Sequence, residues 1–489
     1  MALSPSTVWE TRGTGGIGPG NDNNGGGINA LTVVTDYSQQ NAAQLTLTDL
    51  ATTGVVTTLT SVTGGFTAAM VGNLIHIVSG TNFTAGFYEI TVVTNTNTVT
   101  LDRAPTSAAG VAGTGSVGGA LATLTAVAPV AVASNKIYCN GAFTTTASIA
   151  FAQSSTPSSA TGWAVRVIGY GAVRNDSGHA TLTLTANTGI TVINMSGVGI
   201  WVENLDVDCG SFGTSTAFSV GTHSMTRRCK AANFTTLGFN VTGGNDAIVE
   251  CEATGGGSGA TAGINMAASV SNYVTCCYVH DNACPGINLN NNTGASFNLV
   301  TNNTGASSDG IRFTGTGNSI HNNTCHGNGG DGIKGSGGNM LGDLVKNNLL
   351  TNNGGFGITM TSGNWPSDFA YDGNAYGGGA SANTGGTRNH MNSDATGAGQ
   401  VNPYLNPKDV ILSASPYVGP TSGGTANFGL NNTAGGGAAV RGKGAPGPFP
   451  GITATVGSLD MGAVQSGPSG SSTQPSSSGG PPQIISAAG

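Results

Sequence analysis

The chain has 489 residues, of which 8% are charged and 38% apolar, with 82 glycines and a formal net charge of -7. So little charge sets it well below the roughly 25% of an ordinary soluble domain, yet no run approaches the roughly 20 apolar residues of a membrane-spanning helix. The 15 basic residues are too few and too scattered for a nucleic-acid partner, because phosphate recognition needs a clustered basic surface.

Taken in chain order, residues 1–45 read as an N-terminal arm or attachment segment. Their start, MALSPSTVWETRGTGG, has neither the basic n-region nor the apolar h-region of a classical signal peptide. Residues 46–104 read as a small β module. The segments NLIHIVS (73–79), FYEITVV (87–93) and NTVTLDR (97–103) alternate with the period of two that half-buried strands require. Residues 105–135 are an Ala/Gly/Val connection.

Across residues 136–361 the pattern changes. A glycine followed by an apolar residue recurs at Gly238, Gly263, Gly286, Gly310, Gly332 and Gly357, with offsets of 25, 23, 24, 22 and 25. A second apolar strand precedes most of these pairs by 10 to 12 residues, as in YVTCCYV (273–279) and FNLVTNNT (297–304). A unit of this size cannot bury its apolar face alone, but it can by stacking on its neighbours. The pattern therefore predicts an all-β parallel solenoid of 22–25 residues per coil. The Asn doublets 302–303, 322–323 and 347–348 fall at turns, where Asn tolerates left-handed backbone and can form ladders between coils.

Eight cysteines stand at 139, 209, 229, 251, 276, 277, 284 and 325. Cys209, Cys229, Cys251 and Cys276 follow at 20, 22 and 25 residues, near the coil period, which predicts stacked buried thiols rather than a disulfide framework. Cys276 and Cys277 cannot both point inward from one strand, because side chains alternate. Residues 362–466 hold eight of the 18 prolines and read as an irregular C-terminal β cap; residues 467–489 are a low-complexity tail. Modules at both ends of a solenoid make sense as covers for unpaired strand edges.

The coil motif in NNTCHGNGGDGI (322–333) resembles the pectate-lyase-like, right-handed parallel β-helix superfamily. The ends resemble a narrower group, uncharacterised β-helix repeat proteins of phage and metagenomic origin. That likeness lies in VWETRGTGGIGPGNDNNGGG (8–27), in residues 70–103, in NFGLNNTAGGGAAVRGKGAPG (427–447) and in GSLDMGAVQ (457–465). The resemblance implies a right-handed parallel β-helix and a phage or particle context. It implies no particular chemistry, since the superfamily holds tailspikes, adhesins, lyases and hydrolases.

Two sets of residues are candidates for chemistry. Asp206 and Asp208, in ENLDVDCG, are separated by one residue and so face the same side of a strand. In SDGIRF and GDGIKG, an offset of 22 stacks Asp309 over Asp331 and Arg312 over Lys334. With Ile311 and Ile333 inward, alternation sends the two cations outward. Stacked carboxylates beside stacked cations could hold Ca²⁺ and a uronate, with Arg312 as base, or could raise one carboxyl pKa and make a general acid. They could equally neutralise one another. Candidate glycan-stacking rings are Trp201, Tyr273, Tyr278 and Trp365.

The Gly-His-Gly motif of the superfamily's hydrolases does not occur. With no signal peptide and modular ends, this leads to the expectation of a structural or adhesive surface protein rather than an enzyme. It would be a phage virion component of tail-spike, fibre or decoration type that contacts host-surface glycans. The alternative is a polysaccharide lyase or glycoside hydrolase acting on a surface polysaccharide, with Ca²⁺ as cofactor only in the lyase case. Expected partners are copies of itself in a homotrimer, or particle proteins bound through the end modules. The expected location is the virion surface, or the extracellular space after release.

Overall fold

The computed structural model describes residues 3–32, 35–157, 162–186, 189–305, 307–336, 341–360, 370–377, 391–393, 409–422, 426–444, 460–466 and 472–473. They form two compact units: Met1–Thr183 with Asn194–Asp206, and Leu184–Ile193 with Val207–Gly489. The fold is all-β, a right-handed parallel β-helix with flanking β modules. Among the described residues no helix is long and apolar enough to cross a membrane.

In the first unit a small antiparallel sheet runs in the order Leu45–Leu50, Thr106–Val117, Leu74–Phe83, Gly86–Asn95, Thr98–Leu101, Thr58–Thr60. A bridge between Ala51 and Thr60 joins its two edges. Leu50, Ile75, Ile77, Ile90 and Val99 fill its interior. The strand Thr106–Val117 comes from the stretch whose Ala/Gly composition reads as a connection. Its small residues serve a packing need: a Cβ added at Gly113 would come within 2.6 Å of the Phe83 ring, and one at Gly115 within 2.8 Å of the His76 carbonyl.

The N-terminal segment also takes part in the solenoid. Thr7–Arg12 pairs in parallel with Asn135–Asn140, which pairs with Val165–Tyr170, which pairs with Ile200–Glu203. Trp9 is fully buried and donates its Nε1–H to Asn135 Oδ1 at 3.0 Å. Glu10 is fully buried as well, a costly position for a lone carboxylate. It is met by Arg12 Nε at 2.9 Å, by Arg174 Nη2 at 2.7 Å and by the Tyr170 hydroxyl.

In the second unit each coil contributes three short strands to three parallel sheets. In the first sheet, Ala247–Val249 pairs with Asn272–Thr275, and that strand with Thr293–Ser296. In the second sheet, Glu252–Thr254 pairs with Tyr278–His280, and that strand with Leu299–Thr301. In the third, Ala262–Met266, Ile287–Leu289, Ile311–Thr314 and Ile333–Ser336 follow in register. Ile264, Ile287, Ile311 and Ile333 stack inward with no exposed area, a β-branched ladder suited to a pleated core.

The Asn doublets divide their labour at the corners. The first member takes left-handed backbone, with φ of 54° at Asn302, 55° at Asn322 and 57° at Asn347. The second turns inward: Asn298 Nδ2 donates to Asn323 Oδ1 at 3.0 Å, Asn323 to Asn348 at 3.0 Å, and Asn348 to Asn374 at 3.0 Å. A parallel ladder runs Asn282, Asn303, Asn328, Asn353 at the next corner. Upstream, thiols occupy the first ladder's column, and the Cys251 N–H donates to Cys277 Sγ at 3.4 Å. Cys277, rather than Cys276, continues the stack, because Cys276 takes the left-handed corner with φ 56°. All eight cysteines are buried.

The described part of the C-terminal segment lies against the second sheet. Tyr417, Phe428, Leu430, Val440 and Met461 pack with Leu299 and Leu349 from its outer face. Tyr417 donates or accepts a 2.7 Å hydrogen bond with Thr351, whose hydroxyl also lies 2.8 Å from His326 Nδ1.

Candidate functional site

The third sheet of the second unit carries its outward side chains in a register column. Asn240, Asn265, Asn288, Arg312 and Lys334 follow one another across successive strands. They point away from the core because Ile311 and Ile333 beside them point in, as alternation demands. Arg312 and Lys334 keep 33% and 30% of their side-chain area exposed.

Asp309 and Asp331 sit at the corner that leads into these strands, and they are nearly buried, at 1% and 8% exposure. Gly330 and Gly355 make room for them: an added Cβ would come within 2.2 Å of Asp309 Oδ1 and 2.1 Å of Asp331 Oδ1. Asp309 Oδ1 accepts the Asp331 N–H at 2.7 Å, and Asp331 Oδ1 accepts the Phe356 N–H at 2.7 Å. The second oxygens face the cations. Arg312 Nε lies 2.5 Å from Asp309 Oδ2, and Lys334 Nζ lies 3.6 Å from Asp331 Oδ2 and 4.0 Å from Asp309 Oδ2.

The four residues singled out by the offset of 22 therefore meet. Burial pushes the Asp331 carboxyl above its ordinary range, and the Asp309 charge adds to this. The Phe356 N–H and Lys334 oppose the shift without cancelling it. Calcium does not fit this donor set. Each carboxylate spends one oxygen on a backbone N–H and turns the other to a cationic side chain, whereas Ca²⁺ takes six to eight oxygens.

The other acidic pair is split in its roles. Asp206, in the first unit, accepts from His179 Nδ1 at 2.8 Å. Asp208, in the second, accepts the Gly210 N–H at 2.8 Å and Asn233 Nδ2 at 2.9 Å, as a turn-capping residue does. The basic cluster Arg227, Arg228 and Lys230 is neutralised by Glu250 and Glu252 of the next coil.

Of the candidate rings, Tyr273 is the exposed one, at 45%. It lies over Gly294, where an added Cβ would come within 2.8 Å of it. Trp201 is half-buried with the Arg166 guanidinium 4.0 Å from its ring centroid. Tyr278 has to be withdrawn as a glycan platform. It is 8% exposed, stacked on His280 at 3.8 Å, and belongs to the apolar cluster under the C-terminal segment. Trp365 lies outside the described residues. The partner His179 was missed in the sequence, because 27 residues separate it from Asp206 and only coil stacking joins them.

A family model described as a right-handed β-helix region matches residues 216–375. Comparison with curated proteins finds no match. Among solved structures, the chain is similar to pectate lyase Pel9A at 13% identity and a TM-score of 0.43, covering 70% of this chain and 91% of that one. It is similar to the A-module of the Azotobacter vinelandii mannuronan C-5 epimerase AlgE4 at 13% identity and a TM-score of 0.33, covering 56% and 90%. It is also similar to the Dettilon tailspike protein at 13% identity and a TM-score of 0.32, covering 57% and 60%. Such likeness shows the shared fold alone. The expectation of a protein that is not an enzyme is withdrawn. A missing Gly-His-Gly motif is no ground for setting catalysis aside, since one fold hosts many chemistries.

Proposed function

We propose that this chain is a polysaccharide lyase or glycoside hydrolase acting on an acidic surface polysaccharide along the outer face of the third sheet. The observation that carries this reading is the pairing of Asp331, whose carboxyl is raised by burial, with the outward cations Lys334 and Arg312. A carboxyl that burial makes hold its proton more tightly than an ordinary aspartate can exchange that proton with a glycosidic oxygen or a ring carbon. A sugar carboxylate arriving at Lys334 and Arg312 would compete with Asp331 and Asp309 for the cations. Asn288 and Asn265, next in the column, offer amides to sugar hydroxyls.

The test is a panel of acidic polysaccharides incubated with the full chain, following new reducing ends and unsaturated uronate absorbance. Turnover that falls at least about a hundredfold in Asp331→Asn, the size of a lost acid–base contribution, with Lys334→Gln raising KM, supports the reading. Turnover unchanged in Asp331→Asn, or none across the panel, removes it.

A second element of the proposal concerns place. The likeness of the chain's ends to phage-borne β-helix proteins supports a position on a virion, in a homotrimer or on particle proteins, against a host-surface glycan. Tyr273 favours the glycan contact, since an exposed ring beside a glycine can stack a sugar.

A further inference from the structure

The first unit contains a second cluster that none of these roles uses. On its outward side, Lys136, Arg166 and Trp201 follow in register across three parallel strands. The Arg166 guanidinium stacks on Trp201 at 4.0 Å, and the Trp163 ring meets Trp201 edge-on at 5.1 Å. Arg166 also reaches Glu203, but only at 3.8 Å. The chain then passes Asn204, in left-handed backbone with φ 56°, to Asp206, which holds His179.

Four buried polar atoms along this strip have no hydrogen-bond partner: Arg166 Nε, Trp201 Nε1, Asn204 Oδ1 and His179 Nε2. Orphaned polar atoms are costly and uncommon, so four in one place call for a polar occupant. Their chemistry is ordered. The Arg166 and Trp201 atoms are donors. Asn204 Oδ1 is an acceptor, and so is His179 Nε2 when its other nitrogen gives its proton to Asp206. Donors next to a cation suit a carboxylate; acceptors suit hydroxyls. From Trp201 to Asn204 the strand advances about 10 Å, enough for two sugar rings.

We propose that this strip is a binding site for a carboxylated sugar within a glycan, its carboxylate on Arg166 and Trp201 and the hydroxyls of the adjoining sugar on Asn204 and His179. The site is separate from the one at Asp331 and stands without it. It gives the protein a second hold on an acidic chain, or a hold on a different one.

The test is calorimetric titration of the full chain, with Arg312→Gln and Lys334→Gln removing the other carboxylate site, using digalacturonic acid and neutral digalactose of the same linkage. The acid is expected to bind on the order of tenfold tighter, the size of a charged hydrogen-bond pair. Arg166→Gln is expected to abolish that preference. Trp201→Phe, which keeps a ring and removes the N–H, is expected to weaken binding of the acid several-fold and serves as the second probe should Arg166→Gln melt early. Equal binding of the two sugars, no binding of either, or an acid preference that survives both Arg166→Gln and Trp201→Phe would each overturn the proposal.

Discussion

The carboxylate of Asp309 accepts the backbone N–H of Asp331, one coil further on, at 2.7 Å. Each aspartate thereby pins the next coil while its other oxygen faces a cation, so one residue type serves both the corner and the charge balance.

Asp309→Asn keeps an acceptor for the Asp331 N–H and is expected to cost about 1 kcal/mol. Asp309→Ala removes the acceptor and leaves Arg312 and Lys334 without that partner, for about 2–4 kcal/mol. Urea melts of the two variants check this. Equal losses would mean that the corner bond contributes nothing.

The inward ladder predicts an asymmetry within one doublet. Asn323 Oδ1 accepts from both the N–H and Nδ2 of Asn298, and Asn323 Nδ2 donates to Asn348 Oδ1 and the Ala295 carbonyl. Asn323→Ala should therefore cost about 2–4 kcal/mol, by stranding several buried groups. Asn322→Gly suits the left-handed corner and forfeits the Nδ2 bond to the Asp460 carbonyl, so it should cost about 1 kcal/mol. Chemical denaturation of the pair measures the difference.

Asp246 is 1% exposed, accepts the Ser224 N–H at 2.7 Å and leaves Oδ2 without a partner. Burial pushes its carboxyl up to about 7, from 3.8. The folded chain thus binds the proton more tightly than the unfolded one, and stability falls as pH rises from about 4 to about 7. Asp246→Asn should raise the melting temperature at pH 8 and give no gain at pH 4. Scanning calorimetry at the two pH values decides it.

His326 shows the opposite sign. Burial lowers it to about 4, from 6.5, with Thr351, Tyr417 and Phe428 around it. The unfolded chain takes up the proton first, so stability is lost as pH falls from about 6.5 to about 4. Protection of the 413–422 and 426–440 amides against hydrogen exchange should drop over that range, and less so in His326→Gln.

The sequence alone determined the solenoid, because a glycine–apolar pair recurring every 22–25 residues has meaning only when coils stack. It also determined that Arg312 and Lys334 point out and Ile311 and Ile333 in, since alternation on a strand is local geometry. It placed the four charged residues of the third sheet together, because one repeat offset carries all of them. Only tertiary structure could decide the rest, since the deciding contacts join residues far apart in the chain. The strand at Thr7–Arg12 pairs with Asn135–Asn140 across more than a hundred residues. Tyr278 is buried in an apolar cluster that also takes in Leu412, Tyr417 and Phe428. The choice of Cys277 over Cys276 turned on which residue took the left-handed corner, and His179 found Asp206 through the stacking of neighbouring coils.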